Sequence, residues 1–211
     1  MPRLLDEISG KYLECRVLPR AFFLPQPEIV ARALLGRILA RRNCDGWLAG
    51  RIVETEAYLG AEDPAAHAFA GKTQRNAVLF GPPGHAYIYS IYGLHHCLNV
   101  SCQPNSIAGC VLIRALEPVA GIAIQRENRG LPPDAAVTRI ASGPGKLCIA
   151  LGVTRTRDNG IDLTAANSSL CLLEDEYLRG EVASGPRVGI TKAAHLPLRF
   201  FLAGNACVSR R

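Results

Sequence analysis

The chain has 211 residues, 48% of them hydrophobic and 20% charged. That mix excludes a disordered chain, and the length suits one domain whose core needs no staple. No run approaches the ~18 apolar residues of a membrane span, and the start, MPRLLDEISG, has no apolar signal core, so a soluble, intracellular protein is expected. Twenty-four Lys and Arg against eighteen Asp and Glu give +6, a balance that tolerates a polyanionic partner without requiring one. Only Lys11, Lys72, Lys146 and Lys192 are lysines. The arginine excess suits phosphate recognition, and a biased genome composition would produce it equally. The eight cysteines are scattered with no CxxC pair and read as reduced, mostly buried small apolar residues.

In chain order, residues 1–16 carry no element signal and are expected to form a mobile arm before a domain over 17–211. Pro27–Leu35 has helical periodicity with Gly36 at its end. Ile38–Arg42 and Trp47–Tyr58 read as strands joined by a hairpin at 43–46. Residues 60–84, rich in Gly, Pro, Asp and Ala, read as a long functional loop with one short helix. Tyr87–Ile91 and His95–Ser101 form a second hairpin bent at Tyr92-Gly93-Leu94. Cys110–Leu116 is a strand closed by Glu117-Pro118. Helical turns follow at Ile122–Asn128 and Pro144–Leu151, the latter capped by Ser142 and ended by Gly152. Short strands recur at Leu170–Leu173, Arg187–Ile190 and Leu198–Leu202. The pattern predicts a single α+β domain on a curved, mostly antiparallel sheet.

The densest chemistry lies in RIVETEAYLGAEDPAAHAF, residues 51–69. Strand alternation puts Ile52, Glu54, Glu56 and Tyr58 on one face, the two carboxylates ~6.5–7 Å apart. Each would raise the pKa of the other, and poor solvation would add to that, giving a base able to take a proton from water near neutral pH. The plainer alternative is a solvated face paired with arginines, against which the flanking isoleucine and tyrosine argue.

Tyr58, Tyr87, Tyr89 and Tyr92 fall within 35 residues of sequence. Beside a carboxylate they would sandwich a flat heterocycle, with His67 as a further wall; alternate tyrosines on a strand also serve as core. Tyr92, at a turn, is hard to bury and reads as a residue that meets a partner surface. His95-His96-Cys97 invites a zinc reading, but adjacent strand residues face opposite ways and no HExxH or paired CxxC exists. No metal or other cofactor is expected. Ser142-Gly143-Pro144-Gly145-Lys146 lacks the spacing of a Walker loop; it reads either as a turn holding one phosphate near Lys146 or as a plain helix cap.

RIVETEAYLG, EDPAAHAF, QRNAVLFGPPGHAYIYSIYGLHHCLNVS, VLIRALEP, SGPGKLC, RVGI and PLRFF, in this order, resemble the alkyladenine (3-methyladenine) DNA glycosylase family over about residues 17–211. The resemblance implies one domain with a protruding hairpin that enters the DNA minor groove. It implies Glu56 as the general base, with Arg114 and the carbonyl of Val188 helping to hold the water. Tyr58, His67 and Tyr89 would enclose the flipped base, Asn99 would disfavour the 2-amino group of guanine, and Tyr92 would fill the gap left in the duplex. Lys146 is expected on the DNA-binding surface. The stretch ITKAAHLPLRF looks shorter than the family's usual spacing.

The implied reaction is hydrolysis of the N-glycosidic bond of alkylated or deaminated purines (3-methyladenine, 7-methylguanine, hypoxanthine, ethenoadenine), leaving an abasic site. The implied partner is double-stranded DNA containing a damaged purine, bound by a monomer with no membrane. The location would be cytoplasmic, at the nucleoid, in a prokaryote, or nuclear in a eukaryote. Two other readings compete: a carbohydrate glycosidase using Glu54 and Glu56 as an acid/base pair, and a non-catalytic nucleic-acid-binding module.

Overall fold

The computed structural model describes residues 3–7, 10–44, 46–91, 93 and 95–209, with backbone alone at residues 5 and 12. In chain order, β1 (Arg3–Asp6), β2 (Lys11–Glu14) and β3 (Arg16–Val17) lead to α1 (Pro27–Leu34). Strands β4 (Ile38–Asn43) and β5 (Gly46–Tyr58) form one hairpin, and β6 (Ala86–Ile91) and β7 (His95–Cys102) a second. Strand β8 (Gly109–Ala120) precedes α2 (Ile122–Asn128), α3 (Pro144–Ala150) and α4 (Arg155–Asp158), and β9 (Leu170–Glu174), β10 (Val182–Gly185) and β11 (Arg199–Leu202) follow. A nine-stranded sheet runs β3-β9-β4-β5-β8-β7-β6, with β11 added to the C-terminal part of β5 and β10 to β11. Every pairing is antiparallel and the sheet is open, so the expected α+β architecture holds.

The thirteen-residue β5 is the spine. Helix α1 starts on Pro27, whose missing N–H costs nothing at a first turn, and buries Val30, Ala31 and Leu34 against the sheet. The Thr55 hydroxyl donates to the Ala31 carbonyl at 3.0 Å, tying helix to strand.

Two bulges meet across β5 and β8. Ile52 pairs with Leu116 and Glu54 with Ala115, which makes Val53 an extra residue; Thr55 then pairs with Ile113, which makes Arg114 the extra residue of the partner strand. A bulge shifts the alternation of faces and re-aims side chains. Ile52 and Val53 therefore both join the main core, which corrects the expectation that Ile52 shares a face with Glu54, Glu56 and Tyr58.

Other expectations are revised by side-chain contacts. Strand β8 runs through Pro118, which sits opposite Gly50 at a register irregularity where its absent N–H is tolerated. Ser142 does not cap α3: its hydroxyl donates to the Thr138 carbonyl, and Gly143 holds the N-cap position. Residues 187–190 form no strand. The extended pairing lies earlier, at Val182–Gly185 against β11, while Arg187 turns inward and Gly189 takes φ +77°. The 60–84 segment carries two short 3-10 turns, Gly60–Glu62 and Ala77–Phe80. Gly60 turns the chain at the end of β5 with φ +77°, and a Cβ there would lie 2.2 Å from the Ala108 carbonyl oxygen.

Within 1–16, β1 and β2 pair as a ribbon and Leu4 is buried with Ile38, Ala49 and Val119. The Glu7 carboxylate accepts the Gly121 and Ile122 amides at 2.6 and 3.1 Å, at the start of α2. No described helix is long and apolar enough to cross a membrane. Seven cysteines are buried, Cys44 is exposed, and none forms a disulfide.

Candidate active site

Beyond the bulge, β5 presents Glu54, Glu56 and Tyr58 away from the α1 core. Glu56 is 0% exposed. Its Oε1 accepts the Val188 backbone N–H at 2.7 Å and lies 3.3 Å from Arg114 Nη1; its Oε2 accepts the Tyr58 hydroxyl at 2.9 Å. Desolvation by burial pushes the Glu56 pKa above that of an ordinary carboxylate, against the opposing pull of Arg114, the Val188 amide and the Tyr58 hydroxyl. An ionised carboxylate has about four acceptor positions, so one remains for a water molecule.

Glu54 is equally buried but differently held. Its Oε1 accepts from Arg199 Nε at 2.6 Å, Arg114 Nε at 3.0 Å and the Ser209 hydroxyl at 3.0 Å, and its Oε2 accepts the Ser209 amide at 2.7 Å. Burial alone would raise its pKa, but Ser209, the Arg114 charge and Arg199 together outweigh burial and lower it. The expectation that each carboxylate raises the pKa of the other fails for Glu54, because two guanidiniums and two Ser209 donors neutralise it first. So held, Glu54 is no free acid for a glycosidase pair.

Next to this pair lies a cavity of about 190 Å³, lined by Tyr58, Ala65, His67, Tyr87, Tyr89, Asn99, Cys110, Gly189 and Ile190. The His67 ring stands edge-on to Tyr89, 4.5 Å between centroids, and its Nδ1 is 2.9 Å from the Tyr87 hydroxyl. Burial, then the Arg75 charge, lowers the His67 pKa. Asn99 donates to the Tyr87 carbonyl at 3.1 Å, which orients its amide in the wall. The structure thus brings Tyr58, His67, Tyr89 and Asn99 into one cavity and joins Glu56 to Val188 by a hydrogen bond and to Arg114 by an ion pair. Tyr58, which touches both, joins them. What Val188 offers to Glu56 is its N–H.

Lys146 is elsewhere. It is exposed in the first turn of α3, and that turn packs on the start of β7, where a Cβ on Gly145 would lie 3.3 Å from His95 Cβ. Strand β7 pairs with β6 as a hairpin; Tyr92, which the sequence reading puts at its bend, lies outside the described residues. Among the described residues, no group of three or more His, Cys, Asp or Glu side chains could hold a metal ion.

Several site residues were not singled out from the sequence. In sequence Tyr87 reads only as one of the clustered tyrosines, and Cys110 only as a small apolar residue. Arg199 and Ser209 had no local motif, and Asp63 and Arg187 lay inside motifs without a role. Asp63 and Arg187 form a fully buried pair, a contact visible only once distant segments fold together.

The sequence also matches known proteins. The model of the family described as Methylpurine-DNA glycosylase (MPG) matches residues 21–206. A Koribacter versatilis protein is 58% identical over 192 residues, covering 91% of this chain and 92% of its own length. Relatives in Burkholderia lata and Methanoculleus marisnigri are each 46% identical, over 92% of this chain and 91% and 99% of theirs. The names of all three include the words 3-methyladenine DNA glycosylase. With that match across nearly the whole fold, the chain belongs to the methylpurine-DNA glycosylase family and is a DNA glycosylase, a hydrolase of the N-glycosyl bond that acts on DNA.

Proposed function

We propose that the enzyme flips an alkylated or deaminated purine out of duplex DNA into the aromatic cavity and hydrolyses its glycosidic bond with water activated by Glu56. The observation that carries this reading is the buried Glu56 carboxylate, one hydrogen bond behind Tyr58 in the cavity wall. The anomeric carbon cannot be reached while the base is stacked, so flipping must precede chemistry. A purine nucleotide methylated at N3 or N7 is cationic, and tyrosine faces favour a cation by ~0.5–2 kcal/mol. The same charge makes the base a good leaving group. Glu56, with its raised pKa, is a stronger base than an ordinary carboxylate, and the Arg114 charge favours its ionised form. It also stabilises the oxocarbenium-like centre, as carboxylates do in sugar hydrolysis. The Val188 carbonyl and Arg114 would position the water, Asn99 would crowd the 2-amino group of guanine, and Tyr92 would enter the vacated stack.

A non-catalytic DNA-binding module has no use for such a carboxylate. The test is a panel of duplexes, each with one 3-methyladenine, 7-methylguanine, hypoxanthine or ethenoadenine, followed by hot alkali and by chromatography of the released base. Free damaged base and alkali-labile strand support the reading; bound but uncut duplex across the whole panel defeats it. Gel filtration with and without DNA tests the further proposal that the enzyme acts as a monomer.

A further inference from the structure

Asp63 and Arg187 touch neither the cavity nor the reacting groups, yet they stand where both walls of the cavity leave the sheet. The Asp63 carboxylate accepts the Leu59 N–H at 3.3 Å and the Ala65 N–H at 3.0 Å, and so folds the segment that runs from Tyr58 to His67. The Arg187 fork takes both Asp63 oxygens, the Nη2–Oδ1 contact at 2.9 Å, and donates to the Ala57 carbonyl at 3.0 Å. Its guanidinium lies 4.7 Å from the centroid of the Tyr58 ring. The next residue, Val188, gives its N–H to Glu56, and Gly189 and Ile190 line the cavity. Both side chains of the pair are 0% exposed.

Stability alone is a poor reason for this arrangement. Buried ion pairs are often no more stabilising than well-packed apolar replacements, and Arg187 Nε is buried with no hydrogen-bond partner. What the pair does uniquely is join the 59–67 and 187–190 segments across the cavity, through a bidentate contact of fixed geometry. We infer that Asp63 and Arg187 act as a positioning clamp that holds the Val188 N–H on Glu56 and the Tyr58 ring against the flipped base.

The inference rests on Glu56 being the base. Glu56 is faced by Glu54 and Tyr58 on its own strand, Arg114 on β8, Cys97 on β7, and the Val188 amide with the Arg187 charge behind it. The Val188 amide favours the ionised carboxylate, so loosening it raises the Glu56 pKa and moves the acidic limb of the rate profile to higher pH.

The experiment measures single-turnover excision across the acidic range, on the lesion that the wild type excises best, for Asp63→Asn, Arg187→Lys, the double variant Asp63→Leu/Arg187→Met, and Glu56→Gln. Rates are referred to titrated active sites, and melting and lesion-duplex affinity are followed in parallel. Each clamp variant should be slower by about 10- to 100-fold, the scale of a small misplacement of reacting groups, with its acidic limb moved upward and affinity changed only a few-fold. The apolar double variant should melt near the wild type yet stay slow, and Arg187→Lys should recover melting before rate. Wild-type rate and limb in a folded clamp variant, with Glu56→Gln inactive, would overturn the clamp alone. Full activity in Glu56→Gln would overturn the base and the clamp together.

Discussion

Glu54 and Glu56 stand two residues apart on β5, both fully buried, and their pKa values move in opposite directions. The cause is what each carboxylate meets. Glu54 is enclosed by Arg114, Arg199 and Ser209; Glu56 shares only the far nitrogen of Arg114 and otherwise meets one amide and one phenol. Pairs of carboxylates whose environments separate their pKa values divide roles between them. Here Glu54 holds Arg114 in place, which fits the proposed role of Glu56 as the base.

Glu56→Gln should lower single-turnover excision at least ~100-fold, the low end for loss of a general base, with lesion-DNA affinity within a few-fold. A carboxylate with a raised pKa in the folded state stabilises the fold below its unfolded pKa, and that contribution is lost as pH rises through the folded value. Above that point the ionised Glu56 is a burden on the fold. The melting of the Gln variant should therefore rise relative to the wild type as pH increases through the folded pKa of Glu56. Excision at the wild-type rate would remove Glu56 from the chemistry.

Glu54→Gln should be mainly a stability variant. Removing one partner of a buried ionic group costs about 3–5 kcal/mol, because Arg114 and Arg199 are left undercompensated. The sign follows the lowered pKa: Glu54 stabilises the fold above its unfolded pKa, and that stability is lost as pH falls through the folded value. The gap in urea stability between wild type and variant should therefore be widest near neutral pH and close in acid. A gap that stays constant across pH would mean that the carboxylate charge is not what holds the arginines.

How much of this was legible in the sequence follows from the range of the contacts. The strand carrying Glu54, Glu56 and Tyr58 was readable, because alternation and a hairpin turn are local. The bulges at Val53 and Arg114 were not, since register belongs to two strands and neither alone encodes it. The clustering of Tyr58, Tyr87 and Tyr89 was readable as proximity in sequence. The clamp of Asp63 by Arg187, 124 residues away, and the docking of Ser209 on Glu54, 155 residues away, were not. The apolar spacing of Arg187–Ile190 fits a strand, while the burial of the Arg187 side chain dictates a different course.

The acidic limb of the pH–rate profile should fall above the range of an ordinary carboxylate, since burial raises the Glu56 pKa. Arg114 opposes that rise, so Arg114→Gln should move the limb further toward neutral pH as well as slowing the reaction. Single-turnover rates across the acidic range, on a neutral lesion such as hypoxanthine, read both effects. A limb that stays in place on losing Arg114 would mean that another group controls it.

The product should be an intact strand with an abasic site. A lyase forms a Schiff base through an amine, and none of Lys11, Lys72, Lys146 or Lys192 lines the cavity. Borohydride added during turnover should trap no protein–DNA adduct, and chelators should leave the rate unchanged. A trapped adduct would bring a strand-cleaving activity into the mechanism.

Lys146 and Tyr92 should separate affinity from flipping. Lys146 is an exposed cation in the turn of α3 that packs on the base of the β6–β7 hairpin. If it meets a phosphate, Lys146→Gln should weaken binding about equally for all duplexes and reduce the slope of log affinity against log salt by about 1. Tyr92 falls between the two strands of that hairpin in sequence, and the family resemblance implies that it fills the vacated stack. Flipping costs a few kcal/mol, of which a restacked aromatic ring worth ~1–3 kcal/mol recovers part. Tyr92→Ala should therefore slow excision most for a lesion opposite its proper partner and least for the same lesion in a mismatch, which flips more readily. Melting of the free protein should hardly change. Single-turnover rates on the two duplexes, with thermal melts alongside, decide the matter. Wild-type rates on both, or a melt several degrees lower, would return Tyr92 to the protein's own packing.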